Sequence, residues 1–196
     1  MYFWTALYIE DNLEEVRDQA IRIGEQTGAK CPLKFLPLHV SLKISFDIDS
    51  SRTEECMNLL KDYFSKIGPF NLDVIGYEHV NGIIWIRFAE NQRLAEIHHR
   101  LDEIVEQTFG VAPAEFDLKF IYHCTLFMDD DDDKLIPAMA EITKVPLPSK
   151  ILAREFLIGA SEDGLPGTYS VLSHSKMGAE VDVKEQWDKF KEDSAK

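Results

Sequence analysis

The chain has 196 residues, 45% of them apolar and 29% charged, an ordinary balance for a globular body with a core of its own. Its 35 acidic residues against 21 basic ones give a net charge of −14, which argues against a general duplex DNA binder and leaves room for a local pocket that takes a small phosphate ligand. No apolar run is long enough to span a membrane, and the opening MYFWTALYIEDN has no basic n-region or small-residue cleavage site. Cys31, Cys56 and Cys124 lack metal-ligand spacing, so a cytoplasmic protein with reduced thiols and no membrane partner is expected.

Residues 2–9, YFWTALYI, read as a buried strand. A helix follows over about 13–27, with Leu13, Val16, Ala20, Ile21 and Ile23 near one face and Gly28 ending it. FLPLHVSLKISF gives a strand over about 38–46, with Pro37 at its start. Asp49, Ser50 or Ser51 can cap a helix over about 52–67, which Gly68-Pro69 stops. Residues 70–88 read as a hairpin turning at Asn81-Gly82. A long helix over about 91–108 closes at Gly110, and FDLKFIYHCTLF gives a strand over 116–127. After the Asp129–Asp133 run come a helix over about 134–143 and strands over about 150–159 and 168–176. The charged tail, 179–196, holds a candidate short helix at 183–192.

Strand and helix lead into a strand bearing His-x-Ser/Thr-Leu, and a helix and two strands follow it; this order occurs twice. The expected architecture is therefore α+β: one domain over 1–178, built of two pseudo-symmetric lobes packed as one body.

The repeated tetrapeptides are His39-Val40-Ser41-Leu42 and His123-Cys124-Thr125-Leu126. On a strand, residues two apart share a face, so His39 points with Ser41 and His123 with Thr125. If the two strands lie side by side, two imidazoles and two hydroxyls converge. Two histidines can serve as general base and general acid in one turnover, and hydroxyls can hold non-bridging phosphate oxygens. That set suits displacement at a phosphodiester without a metal, with a bell-shaped rate profile near neutrality.

The spaced pair resembles the H-x-[ST]-x signature of the 2H phosphoesterase superfamily, in its 2'-5' RNA ligase or RNA 2',3'-cyclic phosphodiesterase branch. KFLPLHVSLKISF resembles the first motif strand, GIIWIRFAENQRLAEIHHRLDEIVEQTFG the strand and helix before the second, and DLKFIYHCTLFM the second motif strand. The resemblance implies a bilobal fold whose antiparallel sheets line a central cleft, with helices outside. It also implies opening of 2',3'-cyclic phosphates or cleavage of 2'-5' linkages, with weak ligation in reverse, and no cofactor. Carried onto this chain, it makes His39 and His123 the acid–base pair and Ser41 and Thr125 the phosphate holders. His123 is read as activating water and His39 as protonating the leaving oxygen.

Ser41 stands where Thr is usual in that family, and arginines often found near the second motif are missing. With the acidic charge, this favours a small nucleotide, a cyclic phosphate or a short RNA over structured tRNA, acted on by a monomer. Two further residues are substrate-binding candidates. Lys43 shares the face of His39 by alternation, with a solvated strand-end lysine as the competing reading; Tyr122 is one of several aromatics able to stack on a base. The remaining readings are a hydrolase of cyclic or 2'-5' oligonucleotide signals, a nucleotide-binding module with the same cleft that turns nothing over, and a plain α+β adaptor domain.

His98 and His99 read as a solvated helix face and His79 as exposed near its turn; His174 is a candidate for reaching the cleft. The run Asp129–Asp133 lacks the spacing of a calcium loop and reads as a solvated helix lead-in. No metal site is expected, and there is no P-loop, no GxGxxG after a strand and no HExxH.

Overall fold

The structure is a computed structural model that describes residues 1–165 and 168–178. It is an α+β fold of two four-stranded antiparallel sheets. The first sheet runs β2 (His39–Asp47), β1 (Tyr2–Tyr8), β7 (Glu155–Ser161), β8 (Ser170–Lys176). The second runs β5 (His123–Met128), β4 (Ile83–Phe88), β3 (Phe70–Val80), β6 (Lys150–Ala153). Each motif strand is thus an edge strand, and the edges β2 and β5 meet at the centre of the molecule.

The central strand β1 is apolar on both faces because both are covered. Phe3 and Leu7 enter the main core, which also takes residues of the second sheet such as Ile84, Ile86 and Phe127. Trp4 and Ala6 pack on the other face with Leu157, flanked by Tyr8, Leu36 and Tyr169. That second face is the wall of the cleft. The helices are α1 (Glu14–Thr27), α2 (Thr53–Ser65), α3 (Gln92–Phe109), α4 (Glu115–Leu118) and α5 (Asp132–Ile142).

The helix punctuation is local chemistry. Gly28 and Gly110 close α1 and α3 in the left-handed region at φ 76° and 71°. The Asn91 carboxamide accepts from the Leu94 amide at the start of α3, and the Asp131 carboxylate accepts from Asp133 at the start of α5. The aspartate run is therefore a helix start, as its composition predicts, although Asp129 is buried and accepts from the Lys30 amide at 3.2 Å. Asn81 and Gly82 have φ of 49° and 79°, the two positive values that a two-residue hairpin turn needs. A Cβ at Gly82 would also stand 2.8 Å from the Asp129 carbonyl.

Three elements differ from the sequence reading. The expected strand over 116–127 begins only at His123, because residues 115–118 form α4. There the Ala114 carbonyl accepts from the amides of Asp117 and Leu118, and the Asp117 carboxylate accepts from the Ala114 amide. That local closure and the burial of Asp117 win over the strand pattern of FDLK. The strand over 150–159 splits at Arg154, with β6 in the second sheet and β7 in the first, so the chain crosses between sheets there. His98 is buried on the inner face of α3, stacked on Phe120 at 4.0 Å, while His99 is exposed. The tail 179–196 and its candidate helix lie outside the described residues.

Candidate active site

Both motif strands carry the same irregularity. The β1–β2 register shifts between the pairs Ala6–Ser41 and Thr5–Lys43, and the β4–β5 register shifts between Trp85–Thr125 and Ile84–Phe127. In each strand a bulge therefore follows the hydroxyl residue, and two residues in succession are buried: Leu42 with Lys43, and Leu126 with Phe127. Before the bulge, His39 and Ser41 share one face of β2, and His123 and Thr125 share one face of β5, as alternation requires. The His39 backbone lies beside the Cys124 thiol, and the His123 charge acts on His39, so the two pairs stand close together across the strand junction.

The bulge corrects the reading of Lys43. It turns Lys43 away from the cleft and into the interior, where the residue is 1% exposed. Its ammonium donates to Asp102 Oδ1 at 2.5 Å and to Asp117 Oδ2 at 2.9 Å. His98 joins the same cluster, with Nδ1 against the Leu42 carbonyl and Nε2 2.9 Å from the Asp117 carbonyl. His98, Asp102 and Asp117 are close enough together to hold an ion, but the Lys43 ammonium already stands between the two carboxylates. The cluster ties β2 to α3 and α4 at the bulge. Tyr122 is half-buried, with its ring edge-on to Phe120 and packed against the main core.

The imidazoles are held alike. His39 Nδ1 lies 2.8 Å from the Pro37 carbonyl, and His123 Nδ1 lies 2.7 Å from the Ile121 carbonyl. A carbonyl oxygen only accepts, so in each ring the Nδ1–H donates and the Nε2 lone pair is left for chemistry. Each ring rests on a tryptophan: Trp4 at 5.0 Å from His39 and Trp85 at 4.6 Å from His123. His39 and Ser41 line a cavity of about 170 Å³ with Trp4, Leu36, Ile44, Ser45 and Tyr169.

Burial pushes the pKa of both histidines below the usual 6.5, because it disfavours the imidazolium. The carbonyl at each Nδ1 pulls the other way and is outweighed. The Arg87 guanidinium adds to the depression at His123, and the His123 charge adds to it at His39.

Two neighbours escaped the sequence reading. Arg87 lies directly across from His123 in the β4–β5 register, and Tyr8 directly across from His39 in the β1–β2 register. Arg87 is half-exposed and pairs with Glu78 at 3.2 Å. The alternation Trp85-x-Arg87 on β4 was the available signal, but only the register of β4 on β5 says which histidine it meets. The Tyr8 hydroxyl donates to Asp11 at 3.1 Å, and burial and that carboxylate raise its pKa to about 12. His174 does stand on this wall of the cleft, with its ring 4.3 Å from Tyr8 and Nε2 2.5 Å from Glu155. His79 is half-buried, 3.5 Å from Asp132.

A fold with a matched pair of His-x-Ser/Thr strands meeting across a cleft defines the two-histidine phosphoesterase class. The family model of the 2'-5' RNA ligase superfamily matches residues 10–162, and the chain belongs to that family. Its fold is similar to that of TT0787 of Thermus thermophilus, with 18% identity, TM-score 0.56, and 91% of this chain and 100% of that one covered. It is also similar to E. coli LigT, solved with 3'-AMP, with 15% identity, TM-score 0.54, and 90% and 97% covered. A structure described as a phosphoesterase gives 15% identity, TM-score 0.57, and 90% and 98% covered. No curated protein matches the sequence. Membership of this family supports an enzyme of phosphoesterase type. Among the described residues no helix is long and apolar enough to cross a membrane.

Proposed function

We propose that the protein is a metal-independent phosphodiesterase acting on nucleotide or RNA-end phosphodiesters, opening 2',3'-cyclic phosphates or cleaving 2'-5' linkages. The observation that carries this is the matched pair of imidazoles, each with Nδ1–H fixed on the carbonyl two residues back and with no hydrogen bond to Nε2 among the described residues. Their partners Ser41 and Thr125 are hydroxyl donors able to hold the non-bridging oxygens.

In the opening of a cyclic phosphate, His123 Nε2 takes a proton from water as the water oxygen bonds to phosphorus. The bond from phosphorus to the leaving ribose oxygen breaks, and His39 Nε2–H gives that oxygen its proton. Arg87 favours this direction, because a cation beside His123 favours the neutral base. The pair ends with the proton on the other ring, and exchange with solvent resets it. Weak ligation would use the same cycle with a 5'-hydroxyl in place of water: His123 Nε2 takes the hydroxyl proton as its oxygen bonds to phosphorus, the bond to the leaving ribose oxygen breaks, and His39 Nε2–H protonates that oxygen. His39 and His123 act as catalytic residues, Ser41 and Thr125 as substrate-holding ones, and the rings of Trp4 and Trp85 position the imidazoles.

A panel of nucleoside 2',3'-cyclic phosphates and short 2'-5' and 3'-5' oligonucleotides, treated with EDTA, tests this reading. Turnover of some members that survives EDTA is the expected result. Turnover that needs an added metal, or binding without any turnover, would overturn it, the second in favour of a nucleotide-binding module.

A further inference from the structure

Two cavities beside the motif strands share a wall. The smaller holds His39, Ser41 and Trp4. The larger, about 560 Å³, adjoins it through Leu36 and Tyr169, which line both. Its other walls are the segment that leads into His39, with Lys30, Lys34 and Phe35, and the end of β5 at Met128. Met128 is the first residue after the β5 bulge to leave the core, and it returns to the side of His123 and Thr125. The larger groove thus continues the cleft outward from the motif pairs.

Phe35 is the unusual feature there. It is 79% exposed, on a chain that buries most of its large apolar side chains. Its backbone is nonetheless fixed: Pro32–Lys34 form a turn of 3-10 helix, the Phe35 amide donates to the Pro32 carbonyl at 3.0 Å, and Leu33 is anchored in the core. The Arg17 guanidinium holds the Leu33 carbonyl at 3.1 Å. A bare aromatic ring on a rigid turn is a preformed stacking platform, because an exposed π-face costs little to cover with a base. Two ammonium groups edge the same groove in a protein of net charge −14. Lys34 shares its charge with Glu25 at 3.2 Å, and Lys30 lies near Asp129.

We propose that this groove seats a second nucleotide of a single-stranded oligoribonucleotide, next to the one whose phosphodiester reacts. Its base stacks on Phe35 over the apolar floor of Leu36 and Met128, and its phosphate lies toward Lys30 and Lys34. The proposal rests on the phosphodiesterase reading, and it makes an RNA end, in preference to a free mononucleotide, the substrate class. Base–aromatic stacking reads any base, so length and not sequence is what the groove selects.

The test compares kcat/KM for a nucleoside 2',3'-cyclic phosphate with that for a trinucleotide ending in the same cyclic phosphate. The wild type should prefer the trinucleotide. Phe35→Ala should lower kcat/KM on the trinucleotide about tenfold, through KM, while changing the mononucleotide less than about twofold, and Phe35→Trp should restore it. Lys30→Gln with Lys34→Gln should weaken the trinucleotide and flatten its salt dependence. Equal use of both substrates by the wild type, or parallel losses on both in Phe35→Ala, overturns the proposal. So does a Phe35→Ala variant that keeps its specificity but turns a dimer into a monomer by light scattering, since the groove would then be a self-interface. If the wild type turns over neither substrate, anisotropy of a labelled RNA trinucleotide decides. Binding weakened about tenfold by Phe35→Ala keeps the groove and defeats only the catalytic reading; unchanged binding overturns the groove as well.

Discussion

Trp4 and Trp85 hold corresponding places in the two halves of the cleft, each with its ring against the motif histidine, yet they are fixed by different means. Trp85 is fixed by hydrogen bonding: its indole N–H donates to Glu78 at 3.2 Å, and Arg87 takes the same carboxylate oxygen at 3.2 Å. Trp4 is fixed by packing. Among the described residues its buried indole nitrogen has no hydrogen-bond partner, and it lies over Gly159, where a Cβ would stand 2.1 Å from it. The residue turned inward by each bulge differs in the same spirit. In the His123 half it is Phe127, fully buried in the main core, and in the His39 half it is Lys43, compensated by Asp102 and Asp117. The two halves share the placement of imidazole and hydroxyl and the bulge behind them. The supports behind that placement differ in chemistry: a hydrogen-bonded indole and a buried phenyl ring in one half, a packed indole and a buried ion cluster in the other.

The comparison breaks first if the two histidines prove unequal. His39→Ala and His123→Ala should each lower kcat/KM by roughly 10²–10⁴-fold, the usual worth of a general acid or base. Circular dichroism should show both variants folded. A large loss in one and none in the other would leave a single-histidine site.

The inward residues should cost similar stability for opposite reasons. Lys43→Met leaves two buried carboxylates unpaired and should cost about 3–5 kcal/mol in urea unfolding. Phe127→Ala leaves a cavity and should cost about the same. Adding Asp102→Asn and Asp117→Asn to Lys43→Met should recover part of the loss, whereas no polar substitution should rescue Phe127→Ala. A loss under about 1 kcal/mol in Lys43→Met would mean that the cluster is not what holds the bulge.

Much of this was legible in the sequence. Apolar periodicity and the glycine and asparagine punctuation place the helices and the Asn81-Gly82 hairpin, and the repeated tetrapeptide marks the two edge strands that meet at the centre. What was not legible depends on register and on distant partners. Alternation alone puts Lys43 beside His39; only the bulge, set by pairing with β1, reverses it. His98 reads as solvent-facing until Phe120 and the carbonyls of Leu42 and Asp117 are in place around it. Asp117, the buried carboxylate of the α4 turn, has its cation in Lys43, which lies far away in the chain. Arg87 and Tyr8 become neighbours of the histidines only once the strands are paired.

A smaller effect sharpens the contrast between the tryptophans. Gly159→Ala should push the Trp4 ring off its seat and lower kcat/KM by about 10- to 100-fold, since a displacement near 1 Å at a reacting group costs up to that much. Glu78→Gln keeps an acceptor for the Trp85 indole and should cost far less. Equal losses would remove the distinction between a packed and a hydrogen-bonded support.

The smallest expected effect is on pH. Both histidines have pKa values below 6.5, so the singly protonated pair is most populated on the acid side of that value. The profile of kcat/KM should be bell-shaped with its maximum below 6.5, more acidic than the neutral optimum that an unburied pair would give. Arg87→Gln removes a cation from beside His123 and should move the profile toward higher pH. The sign for stability follows from the same depression. The unfolded chain takes up protons near 6.5 that the buried rings resist, so stability falls as the pH drops below that value. A maximum above pH 7, unmoved by Arg87→Gln, would contradict the assignment of the two rings.

The central claim is that two equivalent imidazoles share one proton-transfer cycle at a phosphodiester. The most direct measurement is single-turnover hydrolysis, in EDTA, of nucleoside 2',3'-cyclic phosphates and short 2'-5' oligonucleotides by the wild type, His39→Ala and His123→Ala. The account predicts turnover by the wild type that each substitution alone lowers by at least about 100-fold. Wild-type rates in either variant, or a wild type active only with added metal, would contradict it.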